Sequence, residues 1–409
     1  MVRCLYEHKE IPQSCGQSSH ESWENRQKLR KKQENAIDKM DDNSRRGLLR
    51  LMQALLPVDD NSVFSPSTLY CALLGLASVC AGASQQEILN GIFCEKDQMQ
   101  IMNAAVREGV TGDSGSSYCS MGSSLWLNNK INLKEARLLE LCEAFASDAY
   151  IGEMGTPDMD MAIQKWTNAN TGNMLKGHIK AIKTDPNTAM EMITTSYFKA
   201  LWADEFWDRD TNRGDFYINK DATVRCSYLK KTEDTDCYIG EKFTAVGKYL
   251  EFGYAMWFVL PEQGATIAKL IEDSAALEFL VNPSAFTQEE YRVTMRIPRF
   301  DISSKMDIRT AMRAMGIHAV FDPEAADLSE ITDEPQIYLS KADHATRVKI
   351  TEKGVEAAAL AEMGWACAGL PPELKRMDFT VDRPFLFVVS KNNKVPMYVG
   401  AIVDPTKRS

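Results

Sequence analysis

The chain has 409 residues, 44% of them hydrophobic, and a formal net charge of −10. That apolar fraction supports a large buried core, and the negative balance argues against nucleic acid as the main partner. Ten cysteines include no C-x-x-C pair, and no segment is apolar for long enough to make a membrane helix, so zinc, dithiol redox and membrane-spanning roles lack support.

Residues 1–41 are polar. Arg26, Lys28, Arg30, Lys31, Lys32 and Lys39 mix with Glu24, Glu34 and Asp38, which predicts a solvated, partly helical extension ahead of one domain at 42–409. The start of the chain lacks the apolar stretch of a secretory signal. Cys71 and Cys80 fall in an apolar helical run and read as buried free thiols. A reducing, cytoplasmic setting is therefore expected, with unconventional export as the alternative.

From Asn43 onward, Leu48, Leu49, Leu51, Met52, Leu55 and Leu56 recur at helical spacing, and Pro57 ends that helix. Ser65-Pro66 opens a second, strongly apolar helix running to Cys80. Ser84-Gln85-Gln86-Glu87 reads as a capping box opening a third. Gly112 to Ser117 reads as a flexible loop. Inside it, Gly112-Asp113-Ser114-Gly115 is similar to the nucleophile signature of trypsin-like proteases. The histidines are His8, His20, His178, His318 and His344, and none stands in a matching context, so no catalytic residue and no enzyme is expected. Tyr118 to Leu127 alternates as a strand, and Met161 to Ile179 reads as a helix and turn. Arg213-Gly214-Asp215 matches an integrin tripeptide, a match too short to carry weight. From Met190 strands dominate, with Tyr254 to Leu260 a buried one. Helices first and strands later, without βαβ alternation, define an α+β class.

The most informative segment is Thr351-Glu352-Lys353-Gly354-Val355-Glu356-Ala357-Ala358-Ala359-Leu360-Ala361. Its alanines favour a helix and disfavour a strand by propensity. Gly364 to Pro372 has the composition of an exposed loop, and Asp382 to Val389 reads as a buried strand. In strand alternation Val355, Ala357, Ala359, Ala361, Met363 and Trp365 share one face, which is wholly apolar. Gly354, Glu356, Ala358, Leu360 and Glu362 share the other.

Glu352-Lys353-Gly354, Glu356-Ala357-Ala358-Ala359 and Asp382-Arg383-Pro384-Phe385-Leu386-Phe387 together resemble the hinge, reactive-centre loop and C-terminal strands of the serpins. Upstream, Asn61-Ser62-Val63-Phe64-Ser65-Pro66, Ser196 to Trp202, Ile297-Pro298-Arg299-Phe300 and Leu339 to His344 follow in that family's order. The resemblance spans about Asp42 to the C-terminus and is of the intracellular, ovalbumin-like type. It implies a single-domain α+β fold with about nine helices, three β-sheets and a reactive-centre loop at about 352–380.

The resemblance also implies roles. Glu352, Gly354, Val355, Glu356, Ala357, Ala358 and Ala359 would form the hinge. Ser65, Thr68 and His344 would form the central gate of the main sheet, with Thr194 where relatives carry Asn. A buried histidine without a gating role is the alternative. Trp202, Arg299 and Glu352 would form the contact at the loop's base. The implied activity is suicide inhibition of serine proteases through a covalent acyl-enzyme, by a monomer without cofactor or metal. Sixteen positions after Glu352 the scissile residue is Ala368, with cleavage at Ala368-Gly369, which suits an elastase-like enzyme. Counting back from Pro384 favours Leu370, suited to a chymotrypsin-like enzyme, and Arg376 would suit a trypsin-like one. A non-inhibitory binding, storage or chaperone protein is the competing reading, against which the small hinge residues count.

Overall fold

Pro66 to Val79 form a helix in which every side chain is buried. A helix buried all round needs partners on every side. The computed structural model describes residues 2–8, 22–57, 59–114, 117–173, 175–176, 182–355 and 374–407. In chain order it begins with β1 (Arg3–Tyr6), α1 (Ser22–Ile37), α2 (Asp42–Leu55), β2 (Ser62–Phe64), α3 (Pro66–Val79), α4 (Gly82–Gly91) and α5 (Met99–Val110). Next come β3 (Gly112–Asp113), β4 (Ser117–Asn128), α6 (Glu135–Phe145), β5 (Asp148–Gly152), α7 (Pro157–Ala169) and β6 (Met190–Leu201). They are followed by β7 (Asn212–Tyr217), β8 (Thr223–Ile239), β9 (Phe243–Leu250), β10 (Tyr254–Pro261), α8 (Ile267–Ile271) and α9 (Ser274–Val281). The chain closes with β11 (Glu289–Pro298), β12 (Asp301–Asp307), α10 (Arg309–Ala314), β13 (Leu339–Lys349), β14 (Gly354–Val355), β15 (Arg376–Thr380), β16 (Phe385–Lys391) and β17 (Val395–Ile402).

The main sheet has the order β1-β5-β4-β6-β13-β12, with β3 beside β4 and β14 beside β6. The second runs β15-β11-β8-β9-β10-β16-β17-β2, with β7 beside β8. The strands of an expected third sheet join the second, because the 17-residue β8 runs through both. Helix α3 packs on β4 and β6 of the main sheet and on β17 of the second, so the core lies around it. Helix α7 covers the opposite face of the main sheet, where Trp166 meets Trp126 edge-on at 6.3 Å. No helix among the described residues is long and apolar enough to cross a membrane.

Side-chain caps open α2, α3, α7, α8 and α9. Asp41 accepts the Ser44 N–H at 2.7 Å and caps α2, and Ser65 accepts the Thr68 N–H to cap α3. The third helix departs from expectation. It starts at Gly82 without a side-chain cap. Ser84 lies inside it and accepts the Asp327 N–H at 3.0 Å, while Glu87 accepts the His318 and Ala319 N–H groups at 2.7 Å each. Both capping-box side chains are taken by long-range partners. Gly112 and Asp113, expected in a loop, pair with Cys119 and Tyr118 as β3. Arg213-Gly214-Asp215 is strand backbone in β7, paired with β8.

The N-terminal segment also differs from the solvated extension expected. β1 pairs antiparallel with β5 and adds a strand to the main sheet. Helix α1 packs on α5 and buries Gln33, Ala36 and Ile37. Gly109 makes this possible, since a Cβ there would stand 2.8 Å from Ile37 Cγ1. Only a few apolar residues at the end of α1 make the contact, too few to show as a stripe along the helix.

Candidate functional site

Ser65, Thr68, Thr194, His344, Trp202 and Glu352, singled out in sequence, meet along one seam, between β6 and β13. These strands pair in parallel from Leu339 opposite Met190 up to Ala345 opposite Thr195. Among the described residues the direct ladder ends there. At the top of the seam β14 stands between them: Gly354 pairs with Leu201 and Val355 with Ala200, and Val355 also bridges to Ile350. The chain after β13 thus turns back and begins a strand inside the main sheet. Glycine is required at 354 by close approach, because a Cβ would lie 2.2 Å from the Ala200 carbonyl oxygen.

Trp202 holds this turn. Its backbone N–H donates to the Lys353 carbonyl at 3.0 Å, and its indole Nε1–H donates to the Thr351 carbonyl at 2.9 Å. Phe206 stacks edge-on to it at 5.8 Å. The Glu352 carboxylate is nearly buried and accepts from Thr211 Oγ1 at 3.1 Å. Arg299 reaches the same oxygen at 3.5 Å through one nitrogen. The Arg299–Glu352 contact expected at the loop's base is therefore a single long one, and the Arg299 side chain is 45% exposed, so it contributes little. Thr211 is the nearer partner of Glu352. It sits 141 positions away in sequence, and no motif flagged it.

His344, Thr194, Ser65 and Thr68 meet at the middle of the seam, all buried. The Ser65 N–H donates to His344 Nε2 at 2.9 Å. A neutral imidazole then carries its proton on Nδ1. Nδ1–H points at Thr194 Oγ1, 2.7 Å away, and the Thr194 hydroxyl donates to the Asp343 carbonyl at 3.2 Å. Ser65 Oγ donates to Thr68 Oγ1 at 2.8 Å. Threonine thus does what an asparagine would do at one of its two ends. The network ties the start of α3 to both strands of the seam.

Burial lowers the His344 pKa from 6.5 to about 3. The imidazole is neutral when folded and takes up a proton when unfolded below about pH 6.5. Its contribution to stability is complete above that value and declines as the pH falls toward about 3. Between about pH 7.5 and about pH 5 the protein should lose about 2 kcal/mol through this group. Denaturant unfolding of the wild type and of His344→Gln at both pH values checks this. An equal loss in both would show that another group titrates.

Glu356, Ala357, Ala358, Ala359, Ala368, Gly369 and Leu370 lie outside the described residues. Arg376 is the first residue of β15 and stands opposite Arg292 of β11. It is strand backbone, so cleavage after Arg376 would require β15 to unpair.

A family model described as Serpin (serine protease inhibitor) matches residues 47–405. The chain belongs to the serpin family. It is 25% identical over 365 residues to Serpin-ZX of Arabidopsis thaliana, covering 85% of this chain and 93% of that protein. It is 27% identical over 361 residues to alpha-1-antiproteinase of Callosciurus caniceps, covering 85% and 84%. Among solved structures it resembles the thermophilic serpin tengpin in its native state, with a TM-score of 0.77 and 18% identity over 90% of this chain and 95% of that one. It also resembles thyroxine-binding globulin in complex with thyroxine, with a TM-score of 0.74 and 21% identity over 89% and 98%.

Proposed function

We propose that the protein inhibits serine proteases by suicide-substrate loop insertion. The observation that carries this reading is β14. Gly354 and Val355 already occupy a strand position between β6 and β13, and the residues that follow are Glu356 and three alanines. A protease would take the segment after β14 as substrate and form an acyl-enzyme. Cleavage frees the upstream half to continue down the seam as a full strand. Each new backbone hydrogen bond is worth ~1 kcal/mol net, so a dozen supply on the order of 10 kcal/mol, comparable to the stability of a whole domain. That is enough to deform a bound enzyme. The antiproteinases among its relatives support the same activity.

Elastase-like and chymotrypsin-like enzymes are the favoured targets, through Ala368 or Leu370. The setting we favour is intracellular, with the inhibitor acting as a monomer. A non-inhibitory binding role is the second reading, favoured by the likeness to thyroxine-binding globulin. Incubation with elastase, chymotrypsin and trypsin tests the pair: an SDS-stable complex supports inhibition, and clean turnover or no reaction supports the alternative. Mass spectrometry of the fragment released by elastase should begin at Gly369. A fragment beginning at Met377, together with a stable trypsin complex, would overturn the assignment of the bond.

A further inference from the structure

A row of alternating charges crosses the base of the seam. Glu191 of β6 is fully buried. Lys341 of β13 places Nζ 2.7 Å from Glu191 Oε1 and 3.3 Å from Asp343 Oδ2. Lys305 of β12 lies 2.9 Å from the same Asp343 oxygen. Glu191 Oε2 has no hydrogen-bond partner among the described residues. A buried ion pair with an unsatisfied oxygen is a poor source of net stability, because desolvation offsets the attraction. Its distinguishing property is its position: it joins the two strands that a new strand would separate.

The register of β14 states where that happens. Gly354 faces Leu201 and Val355 faces Ala200, while Val355 faces Ile350 on the other side. A strand continuing in step brings residue 360 level with Thr195 and Ala345, where the direct ladder ends. Residue 364 comes level with Glu191 and Lys341, and both strands give the same number. Neighbouring strands lie ~4.8 Å apart, so an inserted strand would move Glu191 and Lys341 apart by about that distance and break their contact.

We propose that Glu191, Lys341 and Asp343 form a latch at the base of the seam, opposing strand entry beyond Thr195 and Ala345 while leaving entry above them unhindered. The inference rests on the strand-addition reading proposed above. Entry then has two stages, and only the second breaks charge contacts. Glu191 and Lys341 act as positioning residues, holding β6 to β13 until the entering strand displaces them.

Two peptides that continue from β14 separate the stages: residues 356–360, which reach only the end of the direct ladder, and residues 356–366, which pass the latch. Annealing of each to the purified full-length protein is followed by fluorescence of a labelled peptide. Glu191→Gln, which leaves Lys341 paired with Asp343, should speed the long peptide about tenfold and leave the short one unchanged. Lys341→Arg, which keeps the charge, should anneal at the wild-type rate. If Glu191→Gln fails to fold, the double variant Glu191→Gln/Lys341→Met gives the same readout: it removes the ion pair between β6 and β13 and leaves Asp343 paired with Lys305 of β12. An unchanged long-peptide rate, or equal acceleration of both lengths, overturns the latch. Failure of the wild type to anneal either peptide overturns the strand-addition reading, and the latch with it.

Discussion

Replacing Ala357 by arginine, or Ala359 by glutamate, should turn the inhibitor into a substrate. In the register set by Gly354 and Val355, a strand entering the seam brings residue 357 level with Phe198 and Val348, both buried in the core. Residue 359 comes level with Ser196 and Thr346, also buried. A charge on that face costs several kcal/mol to bury without a partner. The drive for insertion is on the order of 10 kcal/mol spread over a dozen backbone bonds, and the early bonds must form first. A penalty of several kcal/mol at the second or fourth residue beyond β14 therefore slows entry while the acyl-enzyme hydrolyses. Densitometry of covalent complex against cleaved inhibitor on an SDS gel reads the outcome. Full-yield complex with either variant would defeat the insertion mechanism.

Deleting residues 1–37 should lower the melting temperature by several degrees. Ala36 and Ile37 are each 2% exposed and Gln33 is fully buried. Burial of side chains of this size is worth on the order of 3–4 kcal/mol in all, which in a chain of this length corresponds to a shift of roughly 3–5 °C. Gln33 Nε2 also donates to the Thr111 carbonyl at 3.1 Å. The strand β1 brings a second tie. The His8 N–H donates to Asp148 Oδ1 at 2.6 Å, and Trp166 Nε1 donates to the other oxygen at 2.5 Å. Burial pushes the Asp148 pKa up to about 6, against the pull of these two donors. The exposed Arg3–Glu135 pair contributes little. Differential scanning fluorimetry of the truncated and full chains checks the shift. An unchanged midpoint would mean that α1 and β1 melt separately from the body.

The two N-terminal elements mark a limit of reading in sequence. Helix α1 carries its contact in Gln33, Ala36 and Ile37, and its partner is a glycine-bearing face of α5. Helix α1 has too few apolar residues to announce the pair. The capping box at Ser84 fails for a related reason. The local pattern was sound, but Asp327, His318 and Ala319, more than 200 positions away, took the side chains it needed. Long-range hydrogen bonds of this kind leave no local trace.

What the residues alone determined was whatever depends on order and periodicity. The all-buried α3 follows from an unbroken apolar run with Ser65 and Pro66 at its head. The α+β layout follows from helical spacing that gives way to strands after Met190. The hinge assigned to Glu352, Gly354, Val355, Glu356 and Ala357 to Ala359 rests on the family resemblance, and of these residues Glu352, Gly354 and Val355 are described. The tertiary structure decided the partners. It put Thr211, not Arg299, closest to Glu352, made Thr194 and the Ser65 N–H the two partners of the His344 ring, and set Lys341 against Glu191 across the seam. Each of these pairs joins residues at least 53 positions apart. Which side chains meet at such separations depends on how strands are ordered in a sheet, and that order is settled by the packing of the whole core.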